Sequence, residues 1–237
     1  MNTQILKVMV GSKAWGTDTE YSDTDYLEVY LPPVEKLLGF ATAKNKMSET
    51  VDGESTSYPL REYLRLLLAS NPNVFPVLGL LNRHVELLHP WFNWIQDPTL
   101  FLSLRVRHTF KGYANQMKEE AFGARLPKTG DLGEKRKKQL ERYGYVPKAA
   151  AHALRAVQMG IEILSTGKII AYREHDPVLM SILAGEWQPV TIAELVSESI
   201  GILDRTAMIS ELPEEPQTER VEELMIDSSL RTWGYVR

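Results

Sequence analysis

Gly11-Ser12-Lys13-Ala14-Trp15-Gly16, followed by Ser22-Asp23-Thr24-Asp25-Tyr26, is the stretch on which the fold turns. Just before it, Ile5 to Val10 is short, apolar and rich in β-formers, and it stops at Gly11. That pattern predicts a buried strand. Just after it, Tyr26 to Leu31 predicts a second strand, stopped by Pro32 and Pro33. A strand therefore ends in Gly-Ser, a turn-rich connection follows, and the next strand opens on two aspartates. Side chains alternate along a strand, so Asp23 and Asp25 are expected on one side, about 7 Å apart.

Each part has a chemical use. Paired carboxylates offer hard oxygen ligands, and Mg²⁺ favours one or two carboxylates with substrate phosphates and water. Two such ions can activate an attacking hydroxyl and stabilise a leaving pyrophosphate. Gly11 and Gly16 let the backbone approach a phosphate closely, and N–H groups in such a turn form an anion-binding concavity. Ser12 adds a hydroxyl donor. The chain has no G-x-x-x-x-G-K-[ST] loop, so this is not a P-loop.

Working outward, Glu54 to Tyr58 is a weaker third strand, whose Ser and Thr content suits a half-exposed or edge position. From Pro59 the period changes. Leu60, Tyr63, Leu64, Leu67 and Leu68 lie on one helical face, and Asn71-Pro72-Asn73 ends that helix. Beyond residue 100 the patterns are mainly helical: Leu102 to Glu120, Lys148 to Ser165 closed by Gly167, Pro177 to Leu183, Thr191 to Met208 and Thr218 to Leu230. Lys128 to Gly144 reads as a loop running into a short helix. Trp91, Phe92, Trp94 and Phe101 are expected to pack between the lobes. The fold class is α+β: a small mixed β-sheet lobe over residues 1–100, then a mainly α-helical, substrate-binding lobe over 101–237.

Composition narrows the function. The chain has 237 residues, 43% of them apolar and 24% charged, which is ordinary globular composition. A net charge of −4 argues against a generic nucleic-acid coat but not against a local basic groove. Cysteine is absent, which excludes disulfides, a thiol nucleophile and a Cys-zinc site. The longest apolar run, Val74 to Leu81, is broken by Pro76 and is too short for a membrane span. Met1 to Val10 carries no signal-peptide pattern, so the expectation is a cytoplasmic protein with no membrane partner. Charge is uneven: Arg125 to Arg142 carries seven basic and three acidic residues, while Glu211 to Asp227 carries seven acidic and one basic.

The Lys148 to Ser165 helix divides its faces. At about 100° per residue, Ala150, Ala153, Leu154, Val157, Ile161 and Leu164 fall on one side. Lys148, His152 and Arg155 fall on the other, within about 60° of one another. One face packs; the other presents two cations and an imidazole, able to hold a triphosphate or an RNA phosphate, with His152 on a sugar hydroxyl or a phosphate. The basic run Lys135-Arg136-Lys137-Lys138, with Arg142, can track an RNA backbone, and Tyr143 and Tyr145 can stack on bases or pack in the core. His84, His89, His108 and His175 show no metal-ligand spacing.

Gly11-Ser12 with Asp23-x-Asp25 resembles the signature of the DNA polymerase β nucleotidyltransferase superfamily. The likeness is closer to the RlaP-type nucleotidyltransferases associated with RNA repair. It extends through Tyr26-Leu27-Glu28-Val29-Tyr30-Leu31-Pro32-Pro33, Glu54-Ser55-Thr56-Ser57-Tyr58-Pro59-Leu60-Arg61, Asn71-Pro72-Asn73, the Lys148-x-x-x-His152-x-x-Arg155 helix and Gly167-Lys168-Ile169. The ordered set covers most of the chain. Trp15 stands where the family usually has Tyr, and Pro76 where a Glu is often found. The third carboxylate, usually Asp, is matched by Glu54, with Asp52 as the alternative.

The resemblance implies a polymerase β-like palm and a metal-dependent nucleotidyltransferase. It implies that Asp23, Asp25 and Glu54 hold Mg²⁺ or Mn²⁺ and are catalytic. It places Gly11, Ser12, Lys13, Lys148, His152 and Arg155 at the nucleotide. The expected reaction moves an NMP from an NTP to an acceptor hydroxyl, with an RNA end, tRNA-like, as the expected acceptor in repair or processing. Two alternatives stand beside it: nucleotidylylation of a protein or small-molecule hydroxyl, and a catalytically silent RNA-binding module. Neither the NTP chosen nor the oligomeric state follows from the residues.

Overall fold

Strand β1, Thr3–Val10, is set by its run of β-formers and buries Ile5, Leu6 and Val8. It pairs antiparallel with β2, Asp25–Leu31, where buried Leu27, Val29 and Leu31 alternate with more exposed neighbours. Between them the expected turn is a one-turn helix, α1, Gly11–Trp15, closed by Gly16 in the left-handed conformation. A second short helix, α2, Val34–Leu38, follows the two prolines. Strands β3, Lys46–Thr50, and β4, Gly53–Pro59, form an antiparallel pair, and β4 runs parallel to β2. Helix α3, Leu60–Leu68, starts directly after Pro59 and packs on β2 and β4 through Leu60, Tyr63, Leu64 and Leu67. A final strand, β5, Val85–Leu88, pairs with β1.

The result is a mixed five-stranded sheet in the order β3-β4-β2-β1-β5. Strand β4 is therefore not at the edge. Its outer neighbour β3 is short and mostly polar, with Thr50 its single β-branched residue, which is why the sequence did not reveal it. Such short charged strands are what sheets place at their margins.

The computed structural model describes residues 2–38, 46–50, 53–80, 82–124 and 133–236, with the backbone alone for 38, 46–50, 53 and 54. Its contacts divide the chain into two compact units: Met1–Ser103 with Ile169–Glu174 and Glu215–Arg237, and Leu104–Lys168 with His175–Glu214. The fold is α+β, one unit built on the sheet and the other helical.

The sheet unit takes two later segments of chain, which a boundary drawn along the sequence at residue 100 does not convey. Arg173 N donates to Trp15 O at 3.0 Å. Helix α9, Thr218–Thr232, the last of the chain, is held by Ser228, whose hydroxyl donates to Trp91 O at 2.7 Å and accepts from Trp94 Nε1 at 2.9 Å. Phe92 and Phe101 are fully buried in this same unit. The aromatic cluster thus joins residues 1–100 to a segment of 101–237, as expected, but does so inside one compact unit, because α9 returns to the sheet to supply the partner surface.

In the helical unit, α6, Pro147–Thr166, is central and packs against α4, Arg105–Ala121, α7, Pro177–Ala184, and α8, Pro189–Met208. Close approach of α6 is possible because Gly160 faces Leu203 of α8 and Phe110 of α4. Asp204 of α8 accepts from Arg107 Nε at 2.8 Å and Lys111 Nζ at 2.7 Å, clamping α4 to α8. Those two cations hold its carboxyl below the usual carboxylate range. Helix α5, Glu134–Tyr143, precedes α6 and buries no residue fully. Tyr145 is fully buried and its hydroxyl donates to Ile182 O at 3.1 Å, so it belongs to the core and not to a stacking platform. Among the described residues, no helix is long and apolar enough to cross a membrane.

Candidate active site

The end of β1 turns abruptly at Gly11, whose φ of 76° only glycine adopts without strain. The register pairs Val10 with Asp25, so the Gly-Ser turn and the start of β2 are neighbours by backbone hydrogen bonding. A Cβ at Gly11 would collide with the Asp25 carboxylate oxygen Oδ2. The missing side chain is therefore the cradle in which that carboxylate sits. Lys13 of α1 reaches the residue before Asp25: its Nζ donates to Thr24 Oγ1 at 2.6 Å.

Asp23 departs from the expected arrangement. Strand β2 begins at Asp25, so Asp23 lies in the preceding loop, exposed, and strand alternation does not fix its side. The loop is ordered by a reciprocal pair, Ser22 N donating to Thr19 O and Thr19 N to Ser22 Oγ, at 3.0 and 2.9 Å. Asp25 opens the β2 alternation and is partly buried.

Glu54 is placed through its backbone. The parallel ladder pairs Tyr26 with Ser55, so Glu54 precedes Ser55 as Asp25 precedes Tyr26. Glu54 thus holds the register position beside Asp25 on the neighbouring strand. Asp52 lies outside the described residues. Among the described residues, no three His, Cys, Asp or Glu side chains gather as a metal site. Carboxylate oxygens are the donors a hard divalent cation prefers, and of the three acids the Asp25 carboxylate is the one seated over a glycine that leaves it room.

The helical unit carries the second set. Lys148, His152 and Arg155 share one side of α6, whose other residues are largely buried. Lys148 is exposed; His152 and Arg155 are partly buried. Burial, reinforced by the charges of Arg155 and Lys148, pushes the His152 imidazole down to about 3. The ring is therefore neutral at physiological pH. Facing it from α4 is a residue the sequence did not single out: Tyr113, whose hydroxyl lies 3.5 Å from His152 Nδ1. Burial raises the Tyr113 phenol, so it keeps its proton. The available signal was a polar stripe, Tyr113, Gln116 and Glu120, running at helical spacing beside the apolar face of α4.

The basic run is partly spoken for. Arg136 stands 3.9 Å from Glu120 and Lys137 3.8 Å from Glu134, while the Arg142 guanidinium lies over the Tyr143 ring. Lys135 and Lys138 are exposed. Arg125 and Lys128 lie outside the described residues.

The chain belongs to the family described as RlaP, RNA repair pathway DNA polymerase beta family, whose model matches residues 3–220. That family is one of polymerase β-type nucleotidyltransferases in an RNA repair pathway. Among solved structures, the chain is similar to a nucleotidyltransferase-like protein from Exiguobacterium sibiricum 255-15. The identity is 11% over 87% of this chain and 69% of that chain, with a TM-score of 0.30. No curated protein matches the chain.

Proposed function

We propose that this protein transfers an NMP from an NTP to an acceptor hydroxyl, and that the acceptor is an RNA end. The observation that carries the reading is the backbone geometry around Asp25: its carboxylate cradled by Gly11, with Glu54 at the adjacent register position. Membership of an RNA repair family supports RNA as the acceptor.

In this reading the Gly11-Ser12 turn and Lys13 receive the nucleotide phosphates. Mg²⁺ or Mn²⁺ held by Asp23, Asp25 and Glu54 would neutralise charge on the phosphates and lower the pKa of the acceptor hydroxyl. The hydroxyl oxygen attacks the α-phosphorus in line and gives up its proton to a carboxylate or to solvent, the bond from the α-phosphorus to the oxygen bridging to the β-phosphate breaks, and pyrophosphate leaves. The chain's contribution is positioning and charge complementarity. Asp25 is fixed by its strand and by Gly11, while Lys13 steadies the loop between the two acids through Thr24. In the helical unit, Lys148, His152 and Arg155 contact phosphate, and the exposed Lys135 and Lys138 lead a basic face that tracks RNA. The setting consistent with this activity is the cytoplasm.

The test is nucleotide transfer with purified protein, Mg²⁺ and each of the four α-labelled NTPs, with total RNA and the protein itself as acceptors. Label in RNA that is lost in Asp25→Asn is the expected result. Label in protein moves the acceptor to a side-chain hydroxyl. Absence of label, with Mg²⁺-dependent NTP binding unchanged in Asp25→Asn, overturns the reading in favour of a silent binding module.

A further inference from the structure

We infer that Tyr113 is a positioning residue: its hydroxyl donates to His152 Nδ1, fixes the imidazole as the Nε2–H tautomer, and so makes the Lys148–His152–Arg155 face a donor-only site for phosphate oxygens. This deepens the proposed function by assigning the ligand chemistry of one face, and it rests on that reading only for its biological use.

Two side chains from two helices meet here. His152 lies on α6 and Tyr113 on α4, and these helices pack together in the helical unit. The Tyr113 oxygen and His152 Nδ1 are 3.5 Å apart. Such a pair can be bonded in either direction, because an imidazole nitrogen donates or accepts according to its tautomer. The chemistry favours one direction. A phenol is the better proton donor, and a neutral imidazole nitrogen is the better acceptor. Burial keeps the Tyr113 proton in place, and burial with two neighbouring cations keeps His152 neutral. Tyr113 O–H therefore donates, Nδ1 accepts, and the ring proton resides on Nε2.

This decides between ligands. With Nε2–H, the N-terminal half of the polar side of α6, ahead of Gln158 and Glu162, carries an ammonium, an imidazole N–H and the guanidinium of Arg155, which has a further interaction of its own. All three donate and none accepts. A sugar hydroxyl or a base edge needs an acceptor somewhere; a phosphate oxygen needs only donors. The opposite tautomer would leave a bare Nε2 lone pair between two cations, and the face would gain an acceptor that repels phosphate.

The first experiment reads the tautomer in the ligand-free full-length protein, by long-range ¹H–¹⁵N correlation on histidine-labelled material. The expected result is Nε2–H for His152 in the wild type and a mixture of tautomers in Tyr113→Phe, which keeps the ring and removes the donor. An Nδ1–H tautomer in the wild type, or a tautomer unchanged in Tyr113→Phe, overturns the inference. The second experiment titrates inorganic tripolyphosphate while following the His152 signals. Binding weakened about fivefold in Tyr113→Phe is expected, the loss of one hydrogen bond's worth of organisation. Equal affinity overturns the phosphate assignment. Titrated by calorimetry, His152→Gln, which keeps a donor near Nε2, should bind tripolyphosphate more tightly than His152→Asn; the reverse order also overturns it. None of these readouts needs nucleotidyl transfer, so failure of the inference and failure of the enzyme reading are separable.

Discussion

Gly11→Ala tests the cradle most directly. Two costs are separable at this position. Alanine at the Gly11 φ of 76° costs about 1–2 kcal/mol of backbone strain. In a chain of this size that lowers Tm by about 2–8 °C. The second cost is local. The new Cβ overlaps Asp25 Oδ2, so the carboxylate must withdraw by more than about 1 Å to reach ordinary contact. A misplacement of that size in a reacting geometry costs about 10²-fold in rate. Gly167→Ala is the matched control. Gly167 is also left-handed, at φ 65°, but its nearest neighbour is Leu212 Cδ2 at 3.9 Å, so a Cβ meets only an ordinary contact. Both variants should lose similar stability by thermal unfolding. Only Gly11→Ala should lose nucleotidyl transfer and Mn²⁺-dependent binding of a fluorescent NTP analogue. Transfer in Gly11→Ala within about threefold of Gly167→Ala would refute the placement of Asp25 as a working carboxylate.

Other expectations concern charge. Asp204 is held below its ordinary value by Lys111 and Arg107, so its stabilisation is complete above the unfolded carboxylate range near pH 4 and is lost as pH falls through the lowered folded value. Asp204→Asn should cost about 1 kcal/mol at pH 7 in urea unfolding and nothing at the acid end; an equal cost at both pH values would count against the clamp. His152 behaves oppositely in cause. Its folded value near 3 lies below the unfolded value of about 6.5, so only the unfolded chain takes up its proton between those limits. Stability should fall by up to about 1.4 kcal/mol per pH unit as pH drops through that window. His152→Gln should remove this slope, and an unchanged slope would show that the imidazole is not buried neutral. Replacing exposed Lys135 and Lys138 together by alanine should flatten the log–log salt dependence of RNA binding by about 1.4, two phosphate contacts on a single strand; no change in slope would take this face out of the RNA interface.

Much of the candidate site could be proposed along the chain because its parts are local in sequence. The Gly-Ser turn, the aspartate pair and the Lys148–His152–Arg155 stripe are each written within one or two adjacent elements, where strand and helix periods dictate direction. Strands β1 and β2, helix α3 and the helices after residue 100 follow from the same periods. Strand β3 did not, because a five-residue polar strand has no signal beyond its pairing with β4. Neither did the aromatic cluster's partner, since α9 lies more than a hundred residues from Trp91 and Trp94 and meets them only when the chain returns to the sheet unit.

What the sequence determined by itself is a set of residue types in order: closely spaced carboxylates, a glycine turn, a donor-rich helix face and no cysteine. Tertiary structure decided which of those groups are held and how. It released Asp23 from the strand, seated Asp25 over Gly11 and put Glu54 at the register position beside it. It also brought Tyr113 to His152. Residue types and local periods are properties of a segment. Register and the packing of one helix on another depend on which surfaces are buried together, and these settle only when the whole chain has folded.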